Sequence, residues 1–182
     1  TLAGDALQTL AFEIVARAAA PHPYPAAQLV TELARAAGSQ GVIGGQVEDI
    51  SLADSDKPTA ETLSYVHLHK TADLFRASVR MGAIAAGATD AQLEALTAYA
   101  VNVGLAFQIV DDILDEQEAG APGAETGEAR DGVSCVDVHG RDKARTMAEA
   151  NICLARQAIE GRPDITGGAL LAIADMLKDR KA

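Results

Sequence analysis

The stretch Gly104-Leu105-Ala106-Phe107-Gln108-Ile109-Val110-Asp111-Asp112-Ile113-Leu114-Asp115 places three carboxylates and an amide at the C-terminal end of an apolar helical run. Asp111 and Asp115 are four residues apart, so on an α-helix they share one face, with Gln108 one turn earlier. Like charges at that spacing weaken a helix by about 0.2–0.5 kcal/mol. Acidic groups near a helix C-terminus also oppose its macrodipole. A cation between the carboxylates offsets both costs, and an oxygen-only donor set suits a hard ion such as Mg²⁺. The plainer reading is a solvated acidic helix end.

Further candidates lie upstream. Gln46 and Asp49 are one turn apart on a glycine-bearing segment, and His69-Lys70-Thr71 sits in the middle of a helical pattern beside Val66, Leu68 and Leu74. A lysine facing aspartates is what a diphosphate site with bridging metals needs. Mg²⁺ keeps coordination positions for phosphate oxygens, and the lysine adds a point charge to the same phosphate. Metals that take up leaving-group charge make ionisation of a carbon–diphosphate bond feasible. Fixed dipoles such as the Gln108 carbonyl would then stabilise the cation left behind in a site that excludes water. Plainer readings stand beside these. Lys70 can snorkel from an apolar face, and Gln46 and Asp49 can be packing hydrogen bonders. Gly41, Gly44 and Gly45 suit close helix packing at least as well as a phosphate loop. His67 and His69, two apart, point away from each other and make a poor metal pair. Arg76 and Arg80 are most simply exposed or paired with Asp73 and similar neighbours.

Alanine, leucine, glutamate, glutamine and arginine favour helix nearly throughout. The spacing predicts helices over 2–19, ended by Pro21-His22-Pro23-Tyr24-Pro25, and over 26–37, capped by Gly38. Residues 39–49 read as helical and 50–58 as a loop. Thr59 is a plausible N-cap, with Thr62 where a capping-box residue would stand. A long helix follows to about Ala86, stopped by Gly87. Asp90 is expected to cap the motif-bearing helix, which fades near Glu118. Residues 119–139 read as a long loop with a hint of strand from Val133 to Val138, and helices over 141–160 and 166–179 complete an all-α layout.

At 182 residues and 48% hydrophobic, the chain has material for one continuous core. A net charge of −11 argues against nucleic acid or an anionic membrane surface as a generic partner. It leaves an anionic substrate open, because a metal inverts the local sign. Cys135 and Cys153 have no ligand spacing, which fits a reducing, cytoplasmic setting. No run of eighteen apolar residues suggests a membrane span, and no signal-peptide pattern opens the chain. Thr1 stands at the start of a helical pattern, so residues 1–182 are expected to be the C-terminal part of one domain.

Gly44-Gly45-Gln46-x-x-Asp49, His69-Lys70-Thr71 and Phe107-Gln108-x-x-Asp111-Asp112-x-x-Asp115, in that order, together with Leu2-Ala3-Gly4-Asp5-Ala6-Leu7, resemble the trans-isoprenyl diphosphate synthases (polyprenyl synthetases). The likeness is nearest to bacterial farnesyl and geranylgeranyl diphosphate synthases and covers almost the whole chain. It implies an isoprenoid-synthase-type helical bundle, usually dimeric, with Mg²⁺ as cofactor. It also implies head-to-tail condensation: diphosphate loss from an allylic diphosphate, attack by isopentenyl diphosphate, and proton loss. By position, the resemblance makes Asp111 a direct Mg²⁺ ligand, with Asp112 and Asp115 acting directly or through water. Lys70 would bind the allylic diphosphate, Thr71 and Gln108 would lie near the reacting carbons, and Gln46 and Asp49 would be substrate-binding. The family's first aspartate-rich motif has no counterpart here, and Asp54-Ser55-Asp56 is no substitute. No lysine occurs from Gly123 to Ser134, where the family carries diphosphate-binding cations. These departures motivate a rival reading, a non-catalytic or regulatory subunit of the same fold that pairs with a complete synthase. A terpene-cyclase-like relative is a weaker third.

Overall fold

A computed structural model describes residues 2–25, 27–53, 58–119 and 132–180. Its elements are α1 (Leu2–Arg17), α2 (Gln28–Ala37), α3 (Val42–Ala53), α4 (Ala60–Val66), a π-helical segment (His67–Ala72), α5 (Asp73–Ala85), α6 (Asp90–Ala119), α7 (Cys135–His139), α8 (Arg141–Ile159) and α9 (Gly168–Asp179). There is no strand among the described residues. The fold is the all-α, isoprenoid-synthase-type bundle that the motifs imply.

Helix α6 is its axis. Tyr99, Ala100, Val103, Ala106, Ile109, Val110 and Ile113 are all buried along it. One core cluster joins its C-terminal half to Leu52, Leu63, Val66 and Val136, and another joins its middle to Ile152, Ala155, Ile159 and Ala174. A third, around Leu29, Ile84 and Leu93, closes the far end. The sequence holds no unbroken run of eighteen apolar residues, yet one described helix meets a looser test of length and composition. From Asp90 to Glu118, α6 is long and apolar enough by composition to cross a bilayer. Its position inside the bundle accounts for that apolarity, since the faces that carry it are covered by α5 and α8.

Local signals set most boundaries. The Thr59 hydroxyl accepts from the Thr62 amide at 3.1 Å, so the expected N-cap is in place. Gly87, at φ +73°, ends α5, with the Ala88 N–H reaching back to the Ala83 carbonyl at 2.9 Å. At the head of α6 the cap is Thr89 rather than Asp90. The Thr89 hydroxyl accepts from the Gln92 amide (3.3 Å) while the Gln92 side chain accepts from the Thr89 amide (2.8 Å), a capping box. Helix α3 continues to Ala53, past the predicted end at 49, because Leu52 is drawn into the core with Leu63 and Val66. Within the predicted loop of 119–139, residues 135–139 are helical instead, with no strand at 133–138. Ser134 and Asp137 form a capping box there, which outweighs the β-branched valines. Asp54-Ser55-Asp56 and residues 120–131 lie outside the described residues.

Candidate diphosphate and metal site

Most of the predicted site residues, but neither Gln46 nor Asp111, converge where the π segment crosses α6. α4, the π segment and α5 form one continuous rod, and the π turns fall on His67-Leu68-His69-Lys70-Thr71-Ala72. Two glycines hold that widened stretch from either side. A Cβ on Gly45 of α3 would collide with the backbone of Lys70 and lie 2.8 Å from the His69 carbonyl carbon. A Cβ on Gly104 of α6 would lie 2.6 Å from Ala72 Cα. The packing reading of Gly45 is therefore the one observed.

Clamped in this way, the π segment aims its side chains in different directions. Lys70 Nζ donates to Asp49 Oδ2 at 2.5 Å, linking it to α3. Thr71 Oγ1 donates to Gln108 Oε1 at 2.7 Å, and Gln108 Nε2 donates to Asp112 Oδ1 at 3.0 Å. His67, buried, puts Nε2 3.3 Å from Asp112 Oδ2, and the Cys135 backbone N–H donates to the same oxygen at 2.6 Å. Asp49, His67, Lys70, Gln108, Asp112 and Asp115 line one polar cavity of about 280 Å³, rimmed by Gly132 and Ser134. A second, apolar groove of about 390 Å³ starts at Lys70 and Thr71 and runs along Leu74, Phe75, Ser78 and Val79. A charged cavity thus abuts an apolar groove at Lys70.

Asp111, about 100° round α6 from Asp112, does not line that cavity. Arg180 Nη1 donates to its Oδ1 at 2.5 Å, and the guanidinium stacks 5.2 Å over the Phe107 ring. Burial pushes the Asp111 carboxyl above the ordinary carboxylate range, opposed by Arg180 and reinforced by the negative Asp115 and Asp112. Among the described residues no three His, Cys, Asp or Glu side chains are grouped closely enough to form a ready-made metal cage. Mg²⁺ needs no such cage, since one or two carboxylates plus substrate phosphates and water suffice. Asp111 and Asp115, hard oxygen donors crowded by their own charge, fit that requirement.

Not every candidate reaches the cavity. Gln46 sits on the exposed face of α3 and does not line it. His67 and His69 do part company, as their spacing requires, since His69 Nδ1 pairs with Asp73 Oδ2 at 2.8 Å. Arg76 pairs with Asp73 at 3.0 Å, but Arg80 turns to Glu32 on α2 instead. Sequence reasoning set His67 aside as half of a poor metal pair and named neither the Cys135 amide nor Arg180. The two latter contacts come from distant chain segments and leave no local signal.

A helical bundle with a lysine–aspartate cavity opening onto an apolar groove defines a protein of the isoprenoid-synthase class. Residues 1–125 match the polyprenyl synthetase family, and the chain belongs to that family. It is 37% identical to a chloroplastic geranylgeranyl pyrophosphate synthase of Capsicum annuum over 183 aligned residues, which cover 98% of this chain and 50% of that protein. A putative farnesyl-diphosphate synthase from Marinomonas sp. MED121 superposes with a TM-score of 0.77 at 34% identity, over 97% of this chain and 61% of that one. The Helicobacter pylori geranyltransferase complexed with magnesium and isoprenyl diphosphate gives 0.72 at 27% identity, over 98% and 58%. The chain spans about half the length of the curated relative it matches.

Proposed function

We propose that this chain forms one wall of the active site of a Mg²⁺-dependent prenyltransferase, which joins an allylic diphosphate head-to-tail to isopentenyl diphosphate. The observation that carries the reading is the junction at Lys70–Thr71, where the polar cavity meets the apolar groove. A prenyl diphosphate has that same division, a multiply anionic head on a hydrocarbon tail. Lys70 exchanges its Asp49 partner for a diphosphate oxygen. Asp111 and Asp115 would hold Mg²⁺ through their carboxylate oxygens, and the ion would supply positive charge to the departing diphosphate. The Thr71 hydroxyl and the Gln108 carbonyl stand beside the carbon from which diphosphate departs, as fixed dipoles for the developing cation. Gln46, away from the cavity, is left a role only in contacts beyond these helices.

Asp111→Ala is expected to lower turnover of an allylic diphosphate with isopentenyl diphosphate by about a hundredfold or more, about 2.7 kcal/mol. Wild-type-like turnover would overturn the site. The proposed working form is a dimer, either of identical chains or with a related synthase. Exposed Leu2, Leu7, Leu10 and Ile14 on α1 support an apolar contact. Light scattering of the purified protein, alone and mixed with a homologous synthase, separates the self-sufficient enzyme from the regulatory subunit. A stable homodimer with its own turnover excludes the latter.

A further inference from the structure

Asp112 lies between the two proposed metal ligands in sequence, yet its carboxylate is turned to other partners. Its side chain is only 9% exposed. Gln108 Nε2 donates to Oδ1 at 3.0 Å, the Cys135 backbone N–H donates to Oδ2 at 2.6 Å, and His67 Nε2 stands 3.3 Å from Oδ2. A buried carboxylate needs such partners to offset its lost hydration. The effect passes on to Gln108. A side-chain amide can turn either end toward a neighbour, but a carboxylate only accepts. The Gln108 nitrogen must therefore face Asp112, which leaves its oxygen toward Thr71 Oγ1, 2.7 Å away.

We propose that Asp112 is a positioning residue. Clamped by His67 from the π segment and by the Cys135 amide from α7, it fixes the Gln108 carbonyl toward Thr71 and the reacting carbon, leaving metal ligation to Asp111 and Asp115. The inference rests on the function proposed above and makes α7 part of the site's scaffold. In Asp112→Asn the side chain carries one donor end and one acceptor end. It cannot receive hydrogen bonds from Gln108 and Cys135 on separate oxygens, so Gln108 loses its imposed orientation.

Two readouts separate this from metal ligation and from mere folding. Mn²⁺ binding in the presence of inorganic diphosphate, followed by electron paramagnetic resonance, is expected to stay within about twofold of wild type in Asp112→Asn and to weaken about tenfold or more in Asp111→Asn. In turnover, Asp112→Asn is expected to lower kcat about tenfold in the wild-type background and less than twofold in a Gln108→Ala background, because coupled residues are not additive. Equal losses in both backgrounds, or Mn²⁺ binding as weak as in Asp111→Asn, overturn the proposal. Should Asp112→Asn not fold, His67→Leu is carried through the same cycle, with His67→Gln expected to restore part of the loss. A protein without prenyl transfer would remove the function but not this inference. The Mn²⁺ comparison then decides it, together with amide exchange at Cys135, which should accelerate at least tenfold in Asp112→Asn.

Discussion

Glu32 and Arg80 show how individual side chains set stability away from the site. Arg80 donates through Nε (2.8 Å) and Nη2 (2.7 Å) to the two oxygens of Glu32, and through Nη1 to Thr97 Oγ1 (2.8 Å), tying α2, α5 and α6 together. The Arg80 guanidinium holds the Glu32 carboxyl below its ordinary value. A depressed carboxyl stabilises the fold fully above its unfolded value of 4.5, and the gain is lost as pH falls through the lower folded value. Glu32→Gln should therefore cost about 1–3 kcal/mol at pH 7 in urea unfolding, with the gap to wild type closing below pH 4. A gap that does not narrow in acid would show that shape, not charge, is at work. Cys135 offers a second check. Burial first, and then the Asp112 charge, push its thiol up to about 11, whereas Cys153 is exposed. A disulfide reagent at pH 8 is expected to titrate one thiol per native chain quickly and the second only after denaturant. Two fast thiols would mean that the α6–α7 contact opens readily.

At the level of elements, the informative feature is a π turn sandwiched between two glycines. Gly45→Ala and Gly104→Ala each press a methyl into backbone atoms of the π segment. Each is expected to lower stability by about 1–3 kcal/mol, measured by denaturant unfolding. Gly82→Ala on α5, with nothing within 4 Å of its Cβ position, should instead gain about 0.5–1 kcal/mol. This asymmetry also explains what the sequence could and could not reveal. Caps at Thr59 and Gly87 are local chemistry, and the helices they bound fall where the sequence places them. The π turn is not local, because His67 to Ala72 is ordinary helical sequence, and the widening shows only against Gly45 and Gly104. Once Gly45 faces that segment, Gln46 is rotated by about 100° around α3 and emerges on the outer face. The likeness of Gln46 to a family motif carries no information about that rotation. Likewise, Val133, Val136 and Val138 favour strand by propensity, while Ser134 and Asp137 cap a helix and Asp112 anchors its first amide. Those tertiary contacts decide the outcome.

Across the whole molecule, charge decides how a diphosphate can bind at all. The chain carries −11, and within that charge Asp49, Asp112 and Asp115 line the cavity with one lysine while Asp111 stands beside it on α6. Inorganic diphosphate alone meets net repulsion there, and Mg²⁺ alone meets Arg180 already seated on Asp111. Each ligand removes the obstacle to the other, since the metal neutralises the carboxylates and the diphosphate supplies the coordination that the helix lacks. Thermal unfolding should therefore show little shift with either ligand alone and a clear shift with both. At a hundredfold excess over the dissociation constant, binding adds about 2.7 kcal/mol. In a domain of this size that is a rise in Tm of about 5–10 °C. Chelation with EDTA should reverse it, and Asp111→Asn should abolish it. Arg180→Ala should let Mg²⁺ alone raise Tm, because the competing guanidinium is gone from the carboxylate. An equal shift with diphosphate alone would place the anion on cations outside this cavity. Indifference of Asp111→Asn to the pair would move the metal to other carboxylates.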